Sequence, residues 1–414
     1  MGKRRKKNIY SGPNITEKHN FQIDQSLKLS IVEYDEMGVG KAFFKDAPVI
    51  VFNSIIGEEI EASILKIYPE KVIAKLVKII KKSSDRIEPD CIFFGECTGC
   101  QWLHLKYEKQ LKLKQDIVGD NLIRQKVEVS NLSETISSNK KIHYRNHGRF
   151  TVRKKELREE IGFVNFLERK WVKIDHCRIM NETINEKIKI LSGNLSDKTQ
   201  VSIRASDETS SYLIQPKFSD VDFETGQKYY TEKIFDNEYQ VASPSFFQVN
   251  ISQVENIFSE LLDQNIFSNQ HTVLDAYCGV GTFTCLIAPY VKKIVGIEES
   301  FSAVEDAKEN SKKFSNIEYL LGKTEDILES YTENIDVLIL DPPRIGCDEK
   351  VIKIIKDIKP KKIILISCSP ENFAIDISRL IKDNIFHISR VIPFDMFPQT
   401  RHVEVLGILD LVNE

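Results

Sequence analysis

Three carboxyl and thiol side chains in this 414-residue chain sit at the ends of apolar runs, where a folded sheet would hold them rigidly. Cys368 ends such a run in "ILISCSPEN" (364–372). A thiol there is either core filling, the usual fate of an unpaired cysteine, or a nucleophile held at the carboxyl end of a strand. Asp341 ends a second run, in "DVLILDPPRIGCDE", and Glu404 opens a third, in "RHVEVLGILDL". Ligands of open α/β sheets lie beyond the carboxyl ends of the strands, and neighbouring strands are about 4.8 Å apart. Asp341 and Cys368 follow consecutive strands, so their side chains can converge on one bound molecule.

A second pattern supplies a candidate molecule. "TVLDAYCGVGTFTCLIA" (272–288) reads as a strand at 272–275, a turn with Gly279 and Gly281, and a helix. Glycines let a backbone turn tightly and approach a ligand. The next strand, "KIVGIEES", ends in Glu298, at the distance in sequence where an acid accepts ribose hydroxyls. The turn lacks the third glycine of the dinucleotide fingerprint and begins with Asp275; it resembles the S-adenosylmethionine loop of class I methyltransferases, D-x-x-C-G-x-G.

The methyl acceptor follows from chemistry. Methyltransferases of exocyclic amines carry D-P-P-Y or N-P-P-Y where this chain has Asp341, Pro342, Pro343 and Arg344, which argues against an amino nitrogen. C5 of uracil is a poor nucleophile, but thiolate addition at C6 turns it into an enolate carbon able to take a methyl group. A second group must then remove the C5 proton so that the thiol can leave. Glu404 suits that role, with His402 as the rival.

"CIFFGECTGC" places Cys91, Cys97 and Cys100 in a C-x5-C-x2-C pattern, and Cys177 follows in "IDHCRIM". Three cysteines so close point to a metal site. Zinc sites usually show two close pairs, whereas one trio plus a distant ligand is common for a [4Fe-4S] cluster; spacing alone leaves zinc open. The radical pattern C-x3-C-x2-C needs an open iron, and here the first gap is five and Cys177 can close the site.

These residues need elements to position them. Residues 22–80 alternate as short strands separated by Gly, Pro and Asn turns, which predicts an OB-like β-barrel. "EYDEMGVGKAFF" and "IIGEEIEASI" within it resemble a TRAM domain, an RNA-binding module. After the polar joint "KKSSDRIEPD" come the cysteines, an amphipathic helix at 106–125, and a mixed stretch to about 235. From 254 onward helical patterns alternate with "TVLDAY", "KIVGIE", "DVLILD" and "KIILIS", a doubly wound α/β pattern. The predicted organisation is a basic arm (1–16), a TRAM-like barrel (17–80), a central α+β cluster-binding domain (81–235) and a Rossmann-like, class I methyltransferase domain (236–414).

Composition limits the partners. Net charge is −3, so the chain is not basic overall, but "KKIHYRNHGRFTVRKKELR" (140–158) interleaves Lys and Arg with rings that suit phosphates and unpaired bases. No apolar run approaches the roughly 20 residues of a membrane span. "MGKRRKKN" lacks the apolar stretch of a secretory signal, so eight reduced cysteines in a cytoplasmic protein are expected.

Taken in order, "FGECTGCQWLHLKYEKQLKLKQ", "YRN", "SPSFFQVN", "DAYCGVGTF", "GIEES", "DPPRIGCD", "ISCSP" and "DMFPQTRHVE" resemble the RNA 5-methyluridine (uracil-C5) methyltransferase family over residues 22–411. The resemblance implies Cys368 as nucleophile, Glu404 as proton acceptor, and Gln248, Tyr277, Glu298 and Asp341 around S-adenosylmethionine. It further implies a [4Fe-4S] cluster on Cys91, Cys97, Cys100 and Cys177, and a stacking ring at Phe246. The barrel and cluster favour the 23S rRNA branch over the tRNA branch, acting as a monomer on an unpaired or flipped base. Two positions depart from the pattern: Ser369 stands where S-C-N-P has Asn, and "CTGC" replaces C-G-G-C. The rivals are a TRAM-containing radical methylthiotransferase and a non-catalytic RNA-binding protein.

Overall fold

The computed structural model describes residues 12–412 apart from 129, 131, 156–157, 196–197 and 220. Most of the expected basic arm, residues 1–11, lies outside them. The chain divides into two compact units: residues up to 110 with 165–167 and 399–401, and the remainder.

The first unit is built on six strands: β1 (Ser26–Ser30), β2 (Glu33–Tyr34), β3 (Gly40–Phe44), β4 (Ala47–Phe52), β5 (Glu59–Ile67) and β6 (Val72–Lys81). Their order in the sheet is β1-β5-β6-β4-β3-β2. Alternate residues point inward, so Leu27, Leu29, Val49, Val51, Ile60 and Ile64 share one core. The Val32 N–H donates to Lys41 O at 3.0 Å, which draws the end of β1 toward β3 and curls the sheet. An OB fold has five strands; this sheet has six, the two-residue β2 among them. Below the sheet, Arg86 binds the fully buried Glu58 in bidentate fashion at 2.6 and 2.8 Å.

The second unit contains α1 beyond its first turn (the helix spans Tyr107–Arg124), close to the helix expected at 106–125. It continues with an antiparallel sheet of β7 (His147–Lys155), β8 (Arg158–Val164), β9 (Trp171–Lys173), β10 (Gln200–Ala205) and β11 (Tyr212–Gln215), in the order β11-β10-β7-β8-β9. Helix α2 (Glu182–Leu191) packs on β10, and a hairpin of β12 (Tyr229–Ile234) and β13 (Asn237–Ala242) follows.

Its largest layer is a seven-stranded sheet, β16-β15-β14-β17-β18-β20-β19. The strands are β14 (Thr272–Ala276), β15 (Lys293–Glu298), β16 (Ile317–Leu321), β17 (Val337–Leu340), β18 (Lys362–Ser367), β19 (Phe386–Phe394) and β20 (Glu404–Leu411). The helices α3 (Ile251–Asp263), α4 (Thr282–Ile287), α5 (Phe301–Asn310), α6 (Thr324–Ser330), α7 (Glu349–Ile358) and α8 (Pro370–Ile381) alternate with them. β14 to β18 pair in parallel, whereas β20 runs antiparallel to both β18 and β19. Strand order reverses between β14 and β17, the switch point where such sheets bind ligands.

Continuous apolar runs form these strands because both faces are buried. Val337 and Ile339 face one core with Ile257 and Phe283, while Leu338 and Leu340 face the other with Val351 and Phe373. Among the described residues no helix is long and apolar enough to cross a membrane.

One polar contact lies deep in this unit. Lys114 and Asp395 form an ion pair with neither side chain exposed, and Lys114 Nζ also donates to Phe397 O at 3.1 Å. Burial pulls the Lys114 pKa down, and the Asp395 charge opposes this. Removing one partner strands the other charge, so Lys114→Met is expected to cost about 3–5 kcal/mol in denaturant unfolding, with part of the loss regained in the Lys114→Met/Asp395→Leu double variant.

Candidate active site

The sheet brings Asp341, Cys368 and Glu404 to one edge. Leu340 pairs with Leu365, so Asp341 and Cys368 leave adjacent parallel strands at the same end. The antiparallel β20 enters where β18 exits: Ser367 lies opposite Val405, which sets Glu404, the first residue of β20, at the level of Cys368. Such a meeting needs one strand reversed, because a parallel strand would begin at the far edge of the sheet.

The electrostatics follow from this crowding. Burial raises the Cys368 thiol pKa; Glu404 and Asp341 raise it further, while the Arg344 guanidinium opposes them by charge and by a hydrogen bond to the thiol. Glu404 is 3% exposed, and burial first and Asp341 second hold its pKa well above the usual carboxylate range, against the pull of Arg344. Burial, then the charge of Asp275, pushes Asp341 up to about 7. Three acids therefore crowd one edge, Asp275 and Glu404 buried, and the exposed Arg344 is the cation that favours the ionised forms of Cys368 and Glu404.

The loop after β14 lies at the switch point. Tyr277 and Gly279 take left-handed backbone conformations, and Gly281 does so at the cap of α4. A Cβ on Gly279 would meet nothing within 4 Å, whereas one on Gly281 would stand 2.5 Å from Tyr319 Oη. Glu298 closes the loop: Oε2 accepts from Gly279 N–H at 3.1 Å and Oε1 from Ser300 N–H at 2.8 Å. Asp275 is buried below, accepts from Thr284 Oγ1 at 2.6 Å and is pushed by burial up to about 7. Open space beside Gly279 next to an acid at the end of β15 fits a ribosylated ligand. Tyr277 is half-buried with its phenol pKa raised by burial, and a hydrogen bond to the Thr324 side chain opposes that rise. Gln248 lies in the segment before α3; its carbonyl accepts from the buried Asn146 Nδ2 at 3.1 Å. Phe246, two residues earlier, is 69% exposed. His402 packs edge-on against Phe397, with ring centres 5.9 Å apart.

Cys91, Cys97 and Cys100 belong to the first unit and Cys177 to the second. Among the described residues no group of three or more His, Cys, Asp or Glu side chains is arranged to hold a metal. A turn does bring Cys97 near Cys91, with Phe94 N–H donating to Cys91 O at 3.0 Å and Cys97 N–H to Phe93 O at 2.8 Å. The four-cysteine reading rests on the spacing and on the family resemblance.

Two participants escaped the sequence reading. Arg344 was legible only as a departure from D-P-P-Y, and Asn372, in the first turn of α8, had no signal at all.

Residues 224–411 match the family model described as tRNA (Uracil-5-)-methyltransferase. This part of the chain is therefore similar to that family. The chain is 27% identical over 446 residues to an uncharacterized RNA methyltransferase of Halalkalibacterium halodurans, covering 94% of this chain and 97% of that protein. It is 28% identical to another of Staphylococcus aureus, over 92% and 97% respectively. The structure of Pyrococcus abyssi tRNA (uracil-54, C5)-methyltransferase in complex with S-adenosyl-L-homocysteine shares the fold, with a TM-score of 0.74, 24% identity, and coverage of 92% of this chain and 99% of that one. The α/β, Rossmann-like methyltransferase fold expected for the C-terminal domain is therefore the one observed.

The contrast between the two loop glycines is testable. Gly281→Ala combines a left-handed backbone with a clash at Tyr319, so it should lose about 2–3 kcal/mol of stability. Gly279→Ala meets no atom and should lose only about 1 kcal/mol; thermal unfolding of both variants checks the order.

Proposed function

We propose that this protein transfers a methyl group from S-adenosylmethionine to C5 of a uridine in RNA. The observation that carries the reading is the convergence of Cys368, Glu404, Asp341 and Arg344 at the carboxyl edge of β17 and β18. The match of residues 224–411 to the tRNA (Uracil-5-)-methyltransferase family model supports it.

In this reading Gly279 and Glu298 would hold the ribosyl part of the cofactor, and Tyr277, Gln248 and Asp341 would complete its site. The cofactor supplies an electrophilic methyl sulfonium. Cys368 leaves its proton to solvent, helped by Arg344, and its thiolate forms a C–S bond at C6 while the C5–C6 double-bond electrons move into the enolate. C5 would then take the methyl group as the sulfonium S–CH3 bond breaks and the neutral thioether S-adenosylhomocysteine leaves. Glu404, ionised at this stage, accepts the C5 proton, the double bond re-forms, and the C6–S bond breaks to return the thiolate. Glu404 and Cys368 both act without their protons and both have raised pKa values, so initial rates should climb as pH rises through neutrality into the alkaline range. A flat profile in single-turnover assays would exclude this proton inventory.

The substrate we infer is 23S rRNA, with residues 17–80 as an RNA-binding TRAM barrel, 81–235 as a central RNA-contacting domain and Phe246 stacking on the target base. This rests on the β-rich first unit and on the basic stretch 140–158, in a cytoplasmic setting. tRNA is the second reading, favoured by the Pyrococcus abyssi protein, which is named for uracil 54 of tRNA. Mapping 5-methyluridine in both RNAs from cells lacking this protein separates them: loss from 23S rRNA alone supports the first, and loss from tRNA alone the second. No step is routed through an iron-sulfur cluster; an iron and sulfide assay on anaerobically purified protein tests the spacing argument directly.

Cys368→Ala should bind S-adenosylmethionine normally in calorimetry yet form no 5-methyluridine. Glu404→Gln should retain addition and methyl transfer but stall before elimination, so a denaturation-resistant protein–RNA adduct accumulates on gels. Absence of that adduct would remove Glu404 from the role of base.

A further inference from the structure

The strands β17 and β18 are hydrogen-bonded up to Leu340 and Leu365, but the loops that carry Arg344 and Cys368 lie past the last ladder bond. Something else must hold them in register. The side chain of Asn372 spans the gap: its Nδ2 donates to Arg344 O at 2.6 Å and approaches Ser369 Oγ at 3.3 Å. Ser369, the residue after Cys368, caps α8, and its Oγ accepts from Asn372 N–H at 3.4 Å. One turn further along the same helix face, Asp376 Oδ2 accepts from Cys347 N–H at 2.8 Å. The opening of α8 therefore grips the Arg344 loop at two points, and the gripping helix begins two residues after Cys368.

We propose that Asn372 is a positioning residue that holds Arg344 against Cys368, with Ser369 orienting it. The proposal deepens the reading of Cys368 as nucleophile and rests on it. The commoner pattern S-C-N-P has Asn after this cysteine; here that position is Ser369, and Asn372 stands three residues further on. Fixing the Arg344 carbonyl fixes the backbone from which its side chain leaves. The guanidinium can then meet the thiol in one geometry rather than many, which is what a charged hydrogen bond needs to favour the thiolate. The groups facing the thiol are Arg344, which favours ionisation, and Glu404 and Asp341, which oppose it. Without the Asn372 tie, the opposing carboxylates stay in place on β20 and at the end of β17, and only the favourable partner is loosened.

The test reads the thiol itself and needs no RNA. The full-length protein is alkylated with iodoacetamide across pH, and modification of Cys368 is followed by peptide mass spectrometry, with Cys368→Ser as the blank. Asn372→Ala should slow alkylation at neutral pH roughly tenfold and move its midpoint upward, with S-adenosylmethionine affinity unchanged. In methylation assays the same variant should lower kcat and leave the KM for RNA near its original value. Asn372→Gln, which keeps an amide donor, should recover part of both effects, and it serves as the informative variant if the alanine protein does not fold. An unshifted alkylation profile in folded Asn372→Ala overturns the proposal. If the profile shifts while the wild-type protein forms no 5-methyluridine, the positioning role stands and the reaction assigned above falls.

Discussion

β20 runs against the five parallel strands beside it, and the candidate active site depends on that reversal. A parallel sheet delivers every strand's carboxyl end to one edge, which suffices for a cofactor loop, an acid and a thiol from β14, β17 and β18. A group contributed by the start of a strand reaches the same edge only if that strand is inverted. The pairing of Ser367 with Val405 does this for Glu404. The neighbouring β19 locks the inverted strand from its other side, with Phe394 opposite Glu404.

Crowding acids at this edge has a thermodynamic consequence. Asp275, Asp341 and Glu404 are each poorly hydrated, and each like charge makes the next ionisation harder. Arg344 is tied at its backbone carbonyl by the Asn372 amide, and its charge favours both the thiolate and the ionised Glu404.

The surroundings are built to resist displacement. The Lys114–Asp395 pair joins α1 to the segment that follows β19. Asn146 links Gln248 to the buried Glu232, which it meets at 3.0 Å. Polar groups buried in this way are satisfied in one arrangement and costly in others, which favours a single geometry. Ordinary apolar packing on both faces of the sheet does the rest.

How much of this was legible in the residues depends on range. The strands β14, β15, β17 and β18 were legible because burial on both faces demands continuous apolar runs, and the acids and thiol at their ends were legible because a run must stop somewhere. Glycines in the loop after β14 were legible because few other residues adopt its backbone angles. Grouping of the cysteines was not: spacing within 91–100 says nothing about where Cys177 lies, and the described residues do not gather a metal site. The contact of Asn372 with Arg344 joins residues 28 apart through one side-chain amide, and no local pattern encodes it. The sequence by itself determined which strands form, where they end and which chemical groups sit there, since these follow from short-range hydrophobic and backbone constraints. Only the tertiary structure decided which groups meet and in what protonation balance, because both depend on strand direction, shared burial and hydrogen bonds between segments distant in the chain.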